Sequence, residues 1–229
     1  MSTRDEIINE LHTNNELISK IVTIMKKDGI TPVLIAYGGT LATNTLNKDK
    51  SDIDIFAFHE GEIELWSLDK ILSYVVFMFT PFRVSFSSEN IDRVVSHFND
   101  NLLTPELKAA RWETILHYKT IYEGDNIEEF RNNFRTLTNH QIGTMYLDAG
   151  DYAMNDFGAS PDKYGVRALR MFLQGYKILS TGIFEQDMQQ LTSWAGIEVD
   201  WNNLGTNTTN WQPMIDSARN SLVSELSKL

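Results

Sequence analysis

The chain has 229 residues, enough for one large domain or two modest ones, and its 42% apolar content supports a packed core. Its formal charge of -11 argues against a general nucleic-acid binder, because neutralising phosphates requires a basic surface. The absence of cysteine excludes disulfides and thiolate metal sites. With no signal-peptide pattern and no apolar run of the ~20 residues that cross a bilayer, we expect a soluble cytoplasmic protein.

The first half of the chain alternates between helical and strand patterns. The predicted elements are, in order, helix 4–27, strand 31–37, a Gly-Gly turn, polar loop 43–50, strand 51–58, helix 65–74, at least one strand within 75–87, and helix 89–98. Strands separated by helices indicate an α/β domain.

The second half has helical patterns only. The predicted helices are 105–118, 127–137, 139–155, 162–179, 186–195 and 211–226, and an Asn, Thr and Gly-rich stretch over 201–210 indicates a loop. We therefore expect a helical domain after the α/β domain, with the boundary between residues 100 and 123.

Two aspartates alternate along the second predicted strand. Successive side chains of a strand point to opposite faces, so Asp52 and Asp54 share one face while Ile53 and Ile55 occupy the other. Neighbouring like charges on an apolar strand are costly unless a cation lies between them. The pattern favours a divalent metal bound to a nucleotide phosphate.

The turn before that strand supports the same interpretation. Gly38 and Gly39 end a buried strand, permit tight curvature and let backbone N–H groups approach an anion at the start of a following helix. Most Gly-Gly pairs are ordinary turns, and Asp-X-Asp is common. The two features together, with twelve residues between Gly39 and Asp52, are far more specific.

This combination resembles the signature of the nucleotidyltransferase superfamily typified by DNA polymerase β, which is a strand, a glycine turn, a spacer and Asp-X-Asp on the next strand. Within the superfamily, the chain is most similar to the kanamycin nucleotidyltransferase group of antibiotic-modifying enzymes. Residues 82–91, 118–124 and 142–155 carry that second similarity.

The resemblance implies an α/β (α+β) fold, with a small mixed-sheet nucleotidyltransferase domain at 1–110 and an all-helical bundle at 111–229. It implies transfer of a nucleoside monophosphate, AMP from ATP, to a hydroxyl of a small acceptor, for example an aminoglycoside-like compound. Asp52 and Asp54 would hold Mg²⁺. The residues assigned to nucleotide binding are Gly38, Gly39, Thr40, Lys48 and Lys50.

The family position of the general base falls in the helical half. It corresponds to Asp151, with Asp148 one turn earlier as the competing candidate, and the two share one helix face at i and i+3. The alternative is a pair of solvated surface acids. Because the resembled enzymes complete their sites across a subunit interface, the resemblance also implies a homodimer, with no nucleic-acid or membrane partner.

Three positions depart from the family pattern. Arg83 stands where the third strand normally offers a further carboxylate, and Glu89 or Asp92 would replace that group only in a different register. Ala42 replaces a basic residue after the turn, and Asn155 replaces a lysine after the base. These departures support a second hypothesis, in which a catalytically degenerate protein keeps the fold and acts as a nucleotide-binding or regulatory module.

Overall fold

The computed structural model describes residues 15–39, 43, 53–61, 70, 72–73, 84–100, 102–201, 204, 206 and 209–229. The described residues form two compact units. The first comes from Met1–Asp100 and Thr114–Arg135, and the second comes from Asn101–Glu113 and Thr136–Leu229. The chain therefore contributes two separate segments to each unit.

The described residues of the first unit contain a four-stranded sheet. The elements from the start of the chain to the end of this unit are α1 (Asn15–Lys27), β1 (Thr31–Gly38), β2 (Ile53–Glu60), β3 (Val84–Asn90), α2 (Ile91–Asn99), α3 (Pro105–Leu116), β4 (Thr120–Glu123) and α4 (Ile127–Asn132). The strand order is β3-β2-β1-β4. β1 is antiparallel to both β2 and β4, whereas β2 and β3 are parallel, so the sheet is mixed.

Aromatic side chains hold the helices of this unit on the sheet. Phe130 of α4 lies 5.5 Å from Phe58 of β2 and 5.4 Å from Phe134, measured between ring centroids. Phe98 of α2 meets Phe134 edge to face at 4.9 Å. Pairs of this kind contribute about 0.5–1.5 kcal/mol beyond the burial of their area. The cluster therefore anchors β2, the strand that carries Asp54.

The second unit is helical. Besides part of α3 it contains α5 (Asn139–Met154), the 3₁₀ turn Phe157–Ala159, α6 (Pro161–Thr181), α7 (Met188–Trp194) and α8 (Trp211–Leu226). α6 packs against α5, α7 and α8. Its apolar stripe supplies Leu169, Phe172 and Leu173, each at most 1% exposed, as an amphipathic helix facing a core requires.

A buried ionic group links three helices of this unit. Glu113 of α3 is fully buried and accepts a hydrogen bond of 2.9 Å from the hydroxyl of Tyr146 on α5. Its second carboxylate oxygen accepts from the guanidinium of Arg170 on α6. Because a buried charge is tolerated only when it is paired and hydrogen-bonded, this group fixes how α3, α5 and α6 pack.

Helix α5 begins with a capping box. The hydroxyl of Thr138 accepts from the N–H of Gln141 at 3.3 Å, and the side chain of Gln141 accepts from the N–H of Thr138 at 2.9 Å. We expect Thr138→Ala to lower the free energy of unfolding by about 1 kcal/mol in urea denaturation, because an N–H at the helix start loses its partner. Thr138→Ser keeps the hydroxyl and should cost much less. Equal losses for the two variants would contradict this role of the cap.

The observed elements confirm the predicted fold class, a mixed-sheet α/β region followed by a helical region. Several helix ends differ from the predicted bounds by a few residues, and two differences concern the sheet. β3 continues to Asn90, so the next helix begins at Ile91 and not at Glu89, and the short edge strand β4 was not predicted. Within the described part of the chain, no helix is both long and apolar enough to span a membrane.

Candidate active site

The predicted glycine turn is present at the end of β1. Gly39 has a φ of +58°, in the left-handed region that favours glycine. The N–H and the hydroxyl of Thr43 both donate to the carbonyl oxygen of Gly39, at 3.2 and 3.1 Å. The residue after β1 therefore combines a left-handed backbone with a carbonyl oxygen that accepts two hydrogen bonds from Thr43.

Asp54 lies against this turn. It pairs with Gly38 in the antiparallel register of β1 and β2, and its side chain is half-buried. A Cβ added to Gly39 would overlap Oδ2 of Asp54 and lie 3.0 Å from its Cγ. The missing side chain of Gly39 is thus what allows the Asp54 carboxylate to sit on the turn.

The opposite face of β2 is closed. Ile53 and Ile55 are at most 1% exposed, in contrast to the half-buried Asp54 between them. This alternation is the one predicted for the strand. It leaves the carboxylate on the more open face of the sheet.

The third strand brings a hydroxyl beside Asp54. Ser85 pairs with Asp54 in the parallel register of β2 and β3, and residues paired in this way point to the same face. Glu89 pairs with Phe58, which lies four residues and roughly 13 Å further along β2. Asp92 lies in the first turn of α2. Neither acid stands level with Asp54 on the sheet.

Several predicted site residues lie outside the described part of the chain. They are Thr40, Lys48, Lys50 and Asp52, together with Ala42 and Arg83. Their assignments stay predictions.

The described residues contain no group of three or more His, Asp or Glu side chains able to hold a metal ion. A carboxylate among them would nevertheless suit magnesium, which prefers carboxylate and phosphate oxygens as ligands and keeps part of its water shell. The Asp54 carboxylate is such a group, and it lies at the position that a side chain on residue 39 would occupy. The described part of the predicted site therefore fits Mg²⁺.

The two candidate bases lie on α5 in the second unit. Asp151 forms a bidentate ion pair with Arg219 of α8. Nε of Arg219 donates to Oδ1 of Asp151 at 2.7 Å, and Nη2 donates to Oδ2 at 2.9 Å. Partial burial raises the pKa of the Asp148 carboxyl, the charge of Asp151 raises it further, and Lys108 of α3 opposes the shift. The roles predicted for both aspartates stay predictions.

A separate pocket of about 390 Å³ lies beside α7. Its walls include Thr192, Glu198 and Trp201. None of the predicted site residues that the structure describes lines it, so it is distinct from the Gly39 turn and from the aspartates of α5.

Comparison with known families gives the deciding observation. Residues 18–93, which include β1, the glycine turn, β2 and β3, match the family model described as a nucleotidyltransferase domain. This region of the chain is therefore similar to a nucleotidyltransferase domain. The resemblance predicted from the glycine turn and the aspartates is thereby confirmed, and this nucleotidyltransferase domain is the part of the chain that carries Asp54.

The chain is also similar to solved structures. One is the spectinomycin adenyltransferase AAD(9) from Enterococcus faecialis with ATP and spectinomycin, at a TM-score of 0.52 and 11% identity, covering 91% of this chain and 97% of that chain. A second is a nucleotidyltransferase-like protein from Exiguobacterium sibiricum, at a TM-score of 0.31 and 12% identity, covering 96% of this chain and 74% of that one. The second similarity is too distant to support an argument. Comparison with curated proteins finds no match.

Proposed function

We propose that this nucleotidyltransferase transfers a nucleoside monophosphate, AMP from ATP, to a hydroxyl group of a small molecule. The observation that carries the proposal is the Asp54 carboxylate held on the Gly39 turn of a nucleotidyltransferase domain. The fold shared with an adenyltransferase solved with ATP and spectinomycin supports the choice of nucleotide. The formal charge of -11 favours a cationic acceptor, such as an aminoglycoside-like compound.

In the proposed reaction, the acceptor oxygen attacks the α-phosphorus of ATP. The acceptor O–H bond breaks and its proton goes to a carboxylate of the protein, an O–P bond forms, and pyrophosphate leaves with the electron pair of the broken P–O bond. Asp54, together with Asp52, would hold Mg²⁺, which neutralises phosphate charge when bound. The turn at Gly38 and Gly39 would place backbone N–H groups at the phosphates.

The alternative is a degenerate protein that binds nucleotide without transfer. Ser85 favours it, because the third strand offers a hydroxyl and not a carboxylate beside Asp54. A site with fewer carboxylates has less charge with which to hold a divalent cation.

Two measurements separate these functions. The first is ATP binding by calorimetry, with and without Mg²⁺. The second is transfer of label from α-³²P ATP to spectinomycin and a panel of aminoglycosides. Metal-dependent binding and a labelled acceptor are expected for the enzyme. Equal binding with and without metal, combined with no labelled product, would establish the degenerate protein instead.

We propose further that the protein is a homodimer in the cytoplasm, in line with the enzymes it resembles. Light scattering coupled to gel filtration should give the mass of two chains. A mass of one chain at all concentrations would exclude the dimer.

A further inference from the structure

The two glycines of the turn each face one side chain of β2. A Cβ added to Gly39 would overlap the carboxylate of Asp54. A Cβ added to Gly38 would lie 2.5 Å from Cε2 and 3.0 Å from Cδ2 of Phe56. The edge of the Phe56 ring therefore occupies the space that a side chain on residue 38 would fill. Neither the glycine pair nor the Asp-X-Asp spacing indicates this contact in the sequence.

Phe56 shares the face of β2 that carries Asp54. Both side chains are half-buried, whereas Ile55 between them points to the opposite face and is 1% exposed. Phe56 pairs with Ala36 in the antiparallel register, so its ring reaches diagonally along β1 to Gly38. The carboxylate and the ring are thus neighbours on one side of the turn.

The ring restricts the backbone that would meet the phosphates. Gly38 precedes Gly39, whose φ is +58° and whose carbonyl oxygen accepts two hydrogen bonds from Thr43. A glycine has no side chain to limit its φ and ψ, so a contact from outside must do so. Close packing of an aromatic edge supplies that limit, because the peptide cannot rotate without moving into ring atoms. N–H groups that are fixed before a ligand arrives bind it at a lower entropic cost.

We propose that Phe56 is a positioning residue, whose ring holds the turn at Gly38 and Gly39 in the orientation that binds the triphosphate of the nucleotide. This inference rests on the proposed function. Because the ring acts through the turn, its effect falls on the phosphate chain and not on the nucleoside.

A first experiment measures the turn without any ligand. The Thr43 amide reports on the turn, because it donates to Gly39, and its hydrogen exchange can be followed by NMR in the full chain. Phe56→Leu removes Cε2 and Cζ of the ring. Exchange at Thr43 should then become about tenfold faster, because local opening becomes easier. Phe56→Tyr keeps the ring and should stay near the wild-type rate.

Phe172→Leu is the matched control for this variant. The ring of Phe172 covers Gly150 in the other unit, so the same change removes a contact of the same kind elsewhere. It should leave exchange at Thr43 unchanged. A rate at Thr43 that Phe56→Leu does not raise would overturn the inference.

A double variant tests the contact itself. Gly38→Ala adds the methyl group that collides with the ring, at a residue whose φ is not positive, and should speed exchange at Thr43 on its own. Phe56→Leu leaves room for that methyl group. The increase in the double variant should therefore be smaller than the product of the two single increases. A full product would show two independent effects and would contradict the contact.

A second experiment measures the binding of ATP and of inorganic tripolyphosphate by calorimetry, each with Mg²⁺. Phe56→Leu should weaken both by the same factor, about 10- to 100-fold, as expected when a hydrogen bond to a charged group is lost. Phe56→Tyr should restore binding, and Phe172→Leu should equal the wild type. A loss for ATP alone would mean that the ring contacts the nucleoside, and the inference would be wrong.

The inference and the proposed function fail in different ways. If the wild type bound neither ligand, the proposed function would be refuted, while exchange at Thr43 would still decide whether Phe56 holds the turn. If Phe56→Leu bound ATP as tightly as the wild type does, the proposed function would stand and Phe56 would have no part in it.

Discussion

Asp54→Asn is expected to abolish the magnesium dependence of ATP binding and to lower nucleotidyl transfer by about 10³-fold. The amide keeps the shape of the side chain but removes the charge that a divalent cation requires. A bound metal contributes several kcal/mol of charge stabilisation to such reactions, and each 1.36 kcal/mol corresponds to a factor of ten in rate. Calorimetry with and without Mg²⁺, together with label transfer from ATP, gives both quantities.

Asp125→Asn is the matched control for this variant. Asp125 is an exposed residue of the turn before α4, in the same unit, and its replacement makes the same change in net charge. Its ATP binding and transfer should equal those of the wild type. If Asp54→Asn bound ATP with undiminished metal dependence, the carboxylate at the glycine turn would have no part in holding the cation.

The features predicted correctly from the sequence are local ones. β1 and β2 follow from short apolar runs, and the face of Asp54 follows from the alternation of side chains along a strand. The turn at Gly38 and Gly39 follows from the backbone freedom of glycine. Each of these depends on residues within a few positions of one another.

The features that were missed depend on residues far apart in the chain. Asp151 and Arg219 are separated by 68 positions, and nothing in the pattern around either one names the other. Arg219 is the one basic residue between Trp211 and Leu226, which marks it as unusual on its helix without identifying its partner. Sequence spacing placed both aspartates on one face of α5. Only the packing of α8 against α5 shows that Asp151 is the one that pairs with Arg219.

The third strand shows the same limit for the sheet. Its existence was predicted from aromatic and β-branched residues, whereas its register was not determined by them. The register decides that Ser85 stands beside Asp54 and that Glu89 lies further along the sheet. A shift of the pairing moves every side chain of a strand relative to its neighbour. Which side chain of β3 stands beside Asp54 therefore depends on the register, and the sequence pattern leaves the register open.

Gly39→Ala should disable the site while most of the fold survives. The added methyl group would occupy the position of Oδ2 of Asp54, so either the carboxylate or the turn must move. The positive φ of Gly39 adds about 1–2 kcal/mol of backbone strain for any L-residue with a Cβ. Because a displacement of about 1 Å in a reacting group can cost roughly 10²-fold in rate, we expect at least that loss of transfer, measured with α-³²P ATP.

Gly29→Ala separates the two contributions. Gly29 has a φ of +79°, yet a Cβ there meets no described atom within 4 Å, so the variant carries the backbone strain without the collision. Its free energy of unfolding should fall by about 1–2 kcal/mol, with ATP binding unchanged. Gly39→Ala should lose at least as much stability and, in addition, its metal-dependent ATP binding. If the two variants lost stability equally and both still bound ATP, the contact between Gly39 and Asp54 would have no functional role, since strain alone would explain the result.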